Sequence, residues 1–122
     1  MKLSDFIRTD AIVPELQATD RNGVIRELVD ALAKSAGWDE KEAAGISKAV
    51  ITRENQGSTG FGKGVAVPHV KHASIKQICA TIGRSSTGVD FNALDRAPVY
   101  LVVLLLSPMD NPDQHLASME NI

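Results

Sequence analysis

The run Val99-Tyr100-Leu101-Val102-Val103-Leu104-Leu105-Leu106 constrains the fold more than any other part of the chain. It falls far short of the roughly 20 residues that a helical bilayer span requires. It is also too uniformly apolar for a strand with one wet face, which would alternate apolar and polar side chains. It therefore reads as a strand covered on both faces, and the covering elements must be helices. The expected fold class is α/β, a single domain in which a mixed β-sheet is flanked by helices on both faces, a three-layer arrangement.

Two helices upstream suit that role. Thr19-Asp20 offers N-caps for a helix whose apolar stripe is Ile25, Leu28, Val29, Leu32 and Ala36, with Gly37 as its stop. Asp39 caps a second helix with an acidic first turn, Glu40 and Glu42, and with Ala43, Ile46 and Val50 spaced by three and four. Arg53 continues that stripe. An arginine there must either lay its stem over the core and reach water, or aim its guanidinium at a buried or bound anion. Val65 to Val67 reads as a short strand, while Ile78 to Ile82 and Val89 to Phe91 alternate with period two. Asn111-Pro112-Asp113-Gln114 has a capping pattern that opens a last helix, placing His115 in its first turn.

At 122 residues the chain is sized for one core, and no repeat or low-complexity linker divides it. With a net charge of -2 and no cluster of Lys and Arg, a nucleic-acid partner is disfavoured. The polar N-terminus Met1-Lys2-Leu3-Ser4-Asp5 lacks the features of a signal peptide, so the expected location is the cytoplasm with no direct membrane insertion. The single cysteine, Cys79, excludes a disulfide framework within the chain and lies in an alternating run, where it is expected to be a buried structural thiol.

The densest local signal is Gly57-Ser58-Thr59-Gly60-Phe61-Gly62-Lys63-Gly64, which leads into a strand and then Pro68-His69. Glycines let backbone N–H groups approach an anion closely, though the same residues serve a plain turn between helix and strand. The string nearly matches a nucleotide phosphate loop. However, Gly64 replaces the hydroxyl residue that would hold magnesium, and a strand follows where a helix should open. Nucleotide binding is therefore disfavoured.

His69 follows a strand and a proline at the mouth of the sheet. A neutral imidazole, with an ordinary pKa near ~6.5, is a competent nucleophile that can carry a phosphoryl group as a phosphoramidate without any cofactor. That chemistry needs donors for the phosphoryl oxygens. Arg53, the glycine-rich loop and the helix start near His115 are candidates for supplying them. A zinc site built from His69, His72 and His115 is disfavoured because no carboxylate or cysteine stands at a diagnostic spacing, so no metal is expected. His72 is expected to be an exposed loop residue. His115 also has a purely structural reading, as a histidine that packs at a helix start.

Taken together, Arg53-Glu54, Gly57-Ser58-Thr59-Gly60-Phe61-Gly62-x-Gly64 and Val65-Ala66-Val67-Pro68-His69 resemble enzyme IIA of the bacterial phosphotransferase system, type 2, the mannitol, fructose and nitrogen-regulatory class. Leu3-Ser4-Asp5, Ala18-Thr19-Asp20 and Asp113-x-His115-Leu116 extend the resemblance over nearly the whole chain. The resemblance implies that His69 accepts phosphate through Nε2 from the phosphocarrier HPr. It further implies that His69 passes the group to a cysteine of a IIB domain or uses it as a signal to a regulated target protein. It implies an arginine and a second histidine around the phosphoryl group, at Arg53 and His115; the residues of the glycine-rich string expected to form the phosphoryl-binding loop are Ser58, Thr59, Gly60, Gly62 and Gly64. Lys63 departs from the small, polar or acidic residue common at its position. The Gly57 to Gly62 string looks more like the nitrogen-regulatory type than the sugar-specific one. The domain is expected to span residues 1–122 and to stop short of the family's usual C-terminal helical sequence. A different class remains open at this point, a non-catalytic sensor or interaction module that kept the fold. The sequence is silent on oligomeric state.

Overall fold

A computed structural model describes residues 5–57, 60–91 and 97–109. Both expected helices form where their caps place them. In α1 (Arg21–Ala36) the Asp20 carboxylate accepts from the Gly23 N–H at 2.8 Å, and Gly37 ends the helix in the left-handed region at φ 79°. In α2 (Glu40–Gln56) the Asp39 carboxylate accepts from the Glu42 N–H at 2.7 Å. Each cap satisfies an amide that the helix cannot, an interaction worth about 1 kcal/mol.

The sheet has five strands: β1 (Gly60–Gly62), β2 (Val65–Ala66), β3 (His69–Lys71), β4 (Cys79–Val89) and β5 (Val99–Ser107). β5 lies at its centre. β2 and β3 pair with it in parallel, Val65 opposite Leu101 and His69 opposite Leu105, while β4 pairs antiparallel. β1 folds back on β2 through a turn in which Lys63 and Gly64 both have positive φ, 56° and 80°. Two successive positive φ values match the right-handed twist of a two-residue hairpin. Part of the glycine cluster is thus hairpin, and β1 and β3 are strands that the sequence pattern did not mark.

Along β5, Val102, Leu104 and Leu106 join the core of α1 and α2, while Leu105 packs with Phe6, Ile78 and Ala80 in a second cluster. The two-faced burial expected for this run holds from Val102 onward. Its beginning differs: Tyr100 is 46% exposed, and its ring lies over Gly64 and Gly88. Among the described residues α1 packs on β4 and β5, and α2 on α1 and β3. The helix expected from Asn111 lies outside the described residues.

The first alternating segment after residue 77 continues as one strand, β4, that reaches Val89 at the start of the second, with its register broken between Arg84 and Val89; Asp90 makes only an isolated bridge to Asp20. Its outer edge is covered by the N-terminal segment, with bridges from Ile7 to Ala80 and Val13 to Gly83. Covering an edge in this way removes a row of unpaired backbone groups. α1 approaches β4 closely at Gly83, where an added Cβ would sit 2.8 Å from methyls of both Leu16 and Leu28. Gly83→Ala should therefore destabilise the domain by about 1–3 kcal/mol, because overpacking outweighs the smaller entropic gain of removing a glycine. Urea unfolding measures the change.

Candidate functional site

Pro68 interrupts what would otherwise be one strand along β5. It has no N–H, but its carbonyl accepts from the Leu105 N–H at 3.0 Å, so the line of β2 resumes as β3. His69 is the first residue of β3 and not the loop residue that the sequence pattern implied. The strand pairing fixes its backbone more tightly than a loop would.

The half-buried ring of His69 is oriented by its own chain. Nδ1 lies 2.8 Å from the carbonyl oxygen of Val67. A carbonyl can only accept, so Nδ1 must carry the hydrogen, and the ring's lone pair resides on Nε2. Burial pushes the His69 pKa below its ordinary value and outweighs the Val67 hydrogen bond, which favours the charged ring; Arg53 lowers it further and Glu54 opposes. The outcome is a neutral imidazole at neutral pH, in the tautomer whose nucleophilic nitrogen is Nε2.

The last turn of α2 delivers both charged groups. Arg53 is half-buried, and its guanidinium donates to the Gly57 carbonyl at 3.0 Å, closing the helix C-terminus. One such bond leaves most of the planar fork's geometry for other acceptors. The inward stripe of α2 runs Ala43, Ile46, Ser47, Val50 and then Glu54. Arg53, read from sequence as the continuation of that stripe, sits at its margin, and Glu54 is the residue that is 2% exposed. A step of four from Val50 was as available as the step of three, but a carboxylate is rarely fully buried, and sequence reasoning passed over it.

The structure brings His69, Arg53 and Glu54 within electrostatic reach of one another. Gly60 and Gly62 pair with Ala66 and Val65, and the Gly64 carbonyl accepts from the N–H groups of Tyr100 and Leu101. Ser58, Thr59 and His115 lie outside the described residues. His72 is half-buried, and its Nδ1 accepts from the Ser74 N–H at 3.1 Å within its own turn. Among the described residues no three His, Cys, Asp or Glu side chains gather as metal ligands, and no helix is long and apolar enough to cross a membrane. Cys79 is buried, its thiol pushed up to about 11 by burial.

Two consequences are measurable by nitrogen-resolved NMR. The neutral ring of His69 should be in the Nδ1–H tautomer, and it should titrate below the ordinary ~6.5 for histidine. An Nε2–H tautomer or a raised pKa would contradict this geometry.

Residues 5–122 match the model of the family described as phosphoenolpyruvate-dependent sugar phosphotransferase system, EIIA 2. The chain is 31% identical over 122 residues to a nitrogen regulatory protein of Bradyrhizobium diazoefficiens, covering all of this chain and 78% of that one. It is equally 31% identical over 122 residues to the fructose-specific EIIABC component of Bacillus subtilis, of which it spans only 19%. The crystal structure of the nitrogen regulatory protein IIA-Ntr from Neisseria meningitidis superimposes with a TM-score of 0.83 at 30% identity, over 93% of this chain and 75% of that one. The fold, the order of its motifs and these matches agree: the chain belongs to the EIIA 2 family of the phosphoenolpyruvate-dependent sugar phosphotransferase system, a family of phosphotransferase components.

Proposed function

We propose that this domain is a phosphohistidine relay that takes a phosphoryl group from an HPr-type phosphocarrier onto Nε2 of His69. The group is then passed to a IIB cysteine or read as a signal by a regulated target protein. The carrying observation is the 2.8 Å contact between Nδ1 and the Val67 carbonyl, which puts the lone pair on Nε2. In the transfer, that lone pair forms the new N–P bond as the bond to the donor breaks, and the Nδ1 proton stays where it is.

We assign Arg53 to the phosphoryl oxygens, a role its guanidinium suits by its bidentate match to phosphate and one supported by its electrostatic effect on the His69 ring. By their positions in the motif, Ser58, Thr59, Gly60, Gly62 and Gly64 form the loop around the group, and His115 is the second imidazole beside it. The nitrogen-regulatory version is favoured by the Gly57 to Gly62 string and by the Neisseria likeness. In that version the readout is electrostatic, because phosphorylation adds nearly two negative charges to the docking face.

Incubation with enzyme I, HPr and labelled phosphoenolpyruvate should give an acid-labile, base-stable label on the wild type that His69→Ala abolishes. An unlabelled wild type would overturn the relay. Arg53→Ala should slow transfer about 10²–10³-fold, the scale for losing one preorganised electrostatic partner, while the fold survives. Unchanged kinetics would remove Arg53 from the site.

A further inference from the structure

Among the described residues Glu54 is the one carboxylate in the set of fully buried large side chains, and the relay proposed above does not use it. It sits in the last turn of α2, which packs on β3, and it acts electrostatically on the His69 ring. Among the described residues, the charged side chains acting on that ring are Arg53 and Glu54, both from α2, while β5 pairs Leu105 opposite His69. One cation and one anion from the last turn of α2, the helix that packs on β3, therefore act on one imidazole with opposite effects on its charge.

The neutral ring gains little from that arrangement, but the phosphorylated ring is different. When Nε2 bonds to phosphorus while Nδ1 keeps its proton, the ring becomes an imidazolium. Breaking the N–P bond from that state returns neutral imidazole, a good leaving group. Breaking it after Nδ1 has lost its proton would expel an imidazolate, a poor one. The lifetime and transfer rate of the phosphoryl group thus depend on whether Nδ1 stays protonated. The Val67 carbonyl favours the proton through a hydrogen bond, and a nearby anion favours it through space.

We propose that Glu54 is a positioning residue for phosphoryl transfer, its buried carboxylate holding the proton on Nδ1 of phosphorylated His69 so that the ring departs as neutral imidazole. The division of labour within α2 follows: Arg53 serves the phosphoryl oxygens, and Glu54 serves the ring. In the forward step the phosphoryl group moves to the acceptor nucleophile, the N–P electron pair returns to Nε2, and Nδ1–H is unchanged. The inference rests on His69 carrying the phosphoryl group.

The test loads wild type and Glu54→Gln with phosphoramidate, which needs no partner protein. It then follows the ring by ¹⁵N and ³¹P NMR, together with the rate of phosphoryl loss, as pH is raised. In Glu54→Gln the phosphorylated ring should lose its Nδ1 proton at a pH lower by on the order of one unit, the scale for removing one nearby opposite charge. Its rate of phosphoryl loss should fall off over the same lowered range and rejoin the wild-type rate in acid. A purely structural role would lower thermal stability and leave the pH profile in place, and coincident profiles would overturn the proposal. Should Glu54→Gln fail to fold, the carboxyl ¹³C resonance of Glu54 in the phosphorylated wild type replaces it. That resonance should inflect at the pKa of the ring, and a flat trace would overturn the proposal. Failure of enzyme I and HPr to label a wild type whose phosphoramidate-loaded form behaves as stated would overturn the relay and uphold the role of Glu54.

Discussion

The hydrogen bond from Nδ1 of His69 to the Val67 carbonyl is the interaction on which the site depends. Taken alone it is an ordinary bond, worth about 1 kcal/mol net. Its effect here is to choose between two tautomers, and with that choice the nitrogen on which the ring is nucleophilic. The bond exists because Pro68 breaks the strand line while its own carbonyl stays in the ladder with Leu105, leaving the Val67 carbonyl to the ring. That ladder in turn depends on β5, held in place by apolar packing on both faces from Val102 to Leu106. A central strand buried on both sides is the least deformable element such a sheet offers.

Electrostatics then set the ring's charge. Burial keeps the free imidazole neutral, and each unit of pKa change corresponds to about 1.4 kcal/mol of preference between its two charge states. Arg53 strengthens the neutral preference, while Glu54 works against it. A relay needs both tendencies at different moments, a neutral ring to attack and a charged ring to leave. Opposite charges at adjacent positions of one helix turn act on the ring in opposite directions, and on the proposed reading they serve those two moments.

Much of this was legible in the residues, for identifiable reasons. Asp20, Gly37 and Asp39 act through local backbone chemistry, so both ends of α1 and the start of α2 followed from sequence neighbours alone. The run from Val99 is a strong pattern because two-sided burial leaves no polar positions. The short strands β1 and β3 were not legible, since three residues carry no periodicity and their pairing is decided by distant partners. β4 looked like two strands because its register breaks between Arg84 and Val89, where the alternation is lost. At the site, His69 and Arg53 stood out by residue type and spacing. The Val67 carbonyl did not, since every residue has one. Glu54 was hidden by the general rule that carboxylates stay wet, a rule that a reactive imidazole nearby gives a reason to break.

The most direct test of this account is to locate the phosphorus on the ring. After transfer from phosphoenolpyruvate through enzyme I and HPr, ¹⁵N–³¹P correlation NMR of the phosphorylated domain should show coupling to Nε2 of His69, with Nδ1 still hydrogen-bonded to Val67. Phosphorus on Nδ1, or on any other side chain, would contradict it.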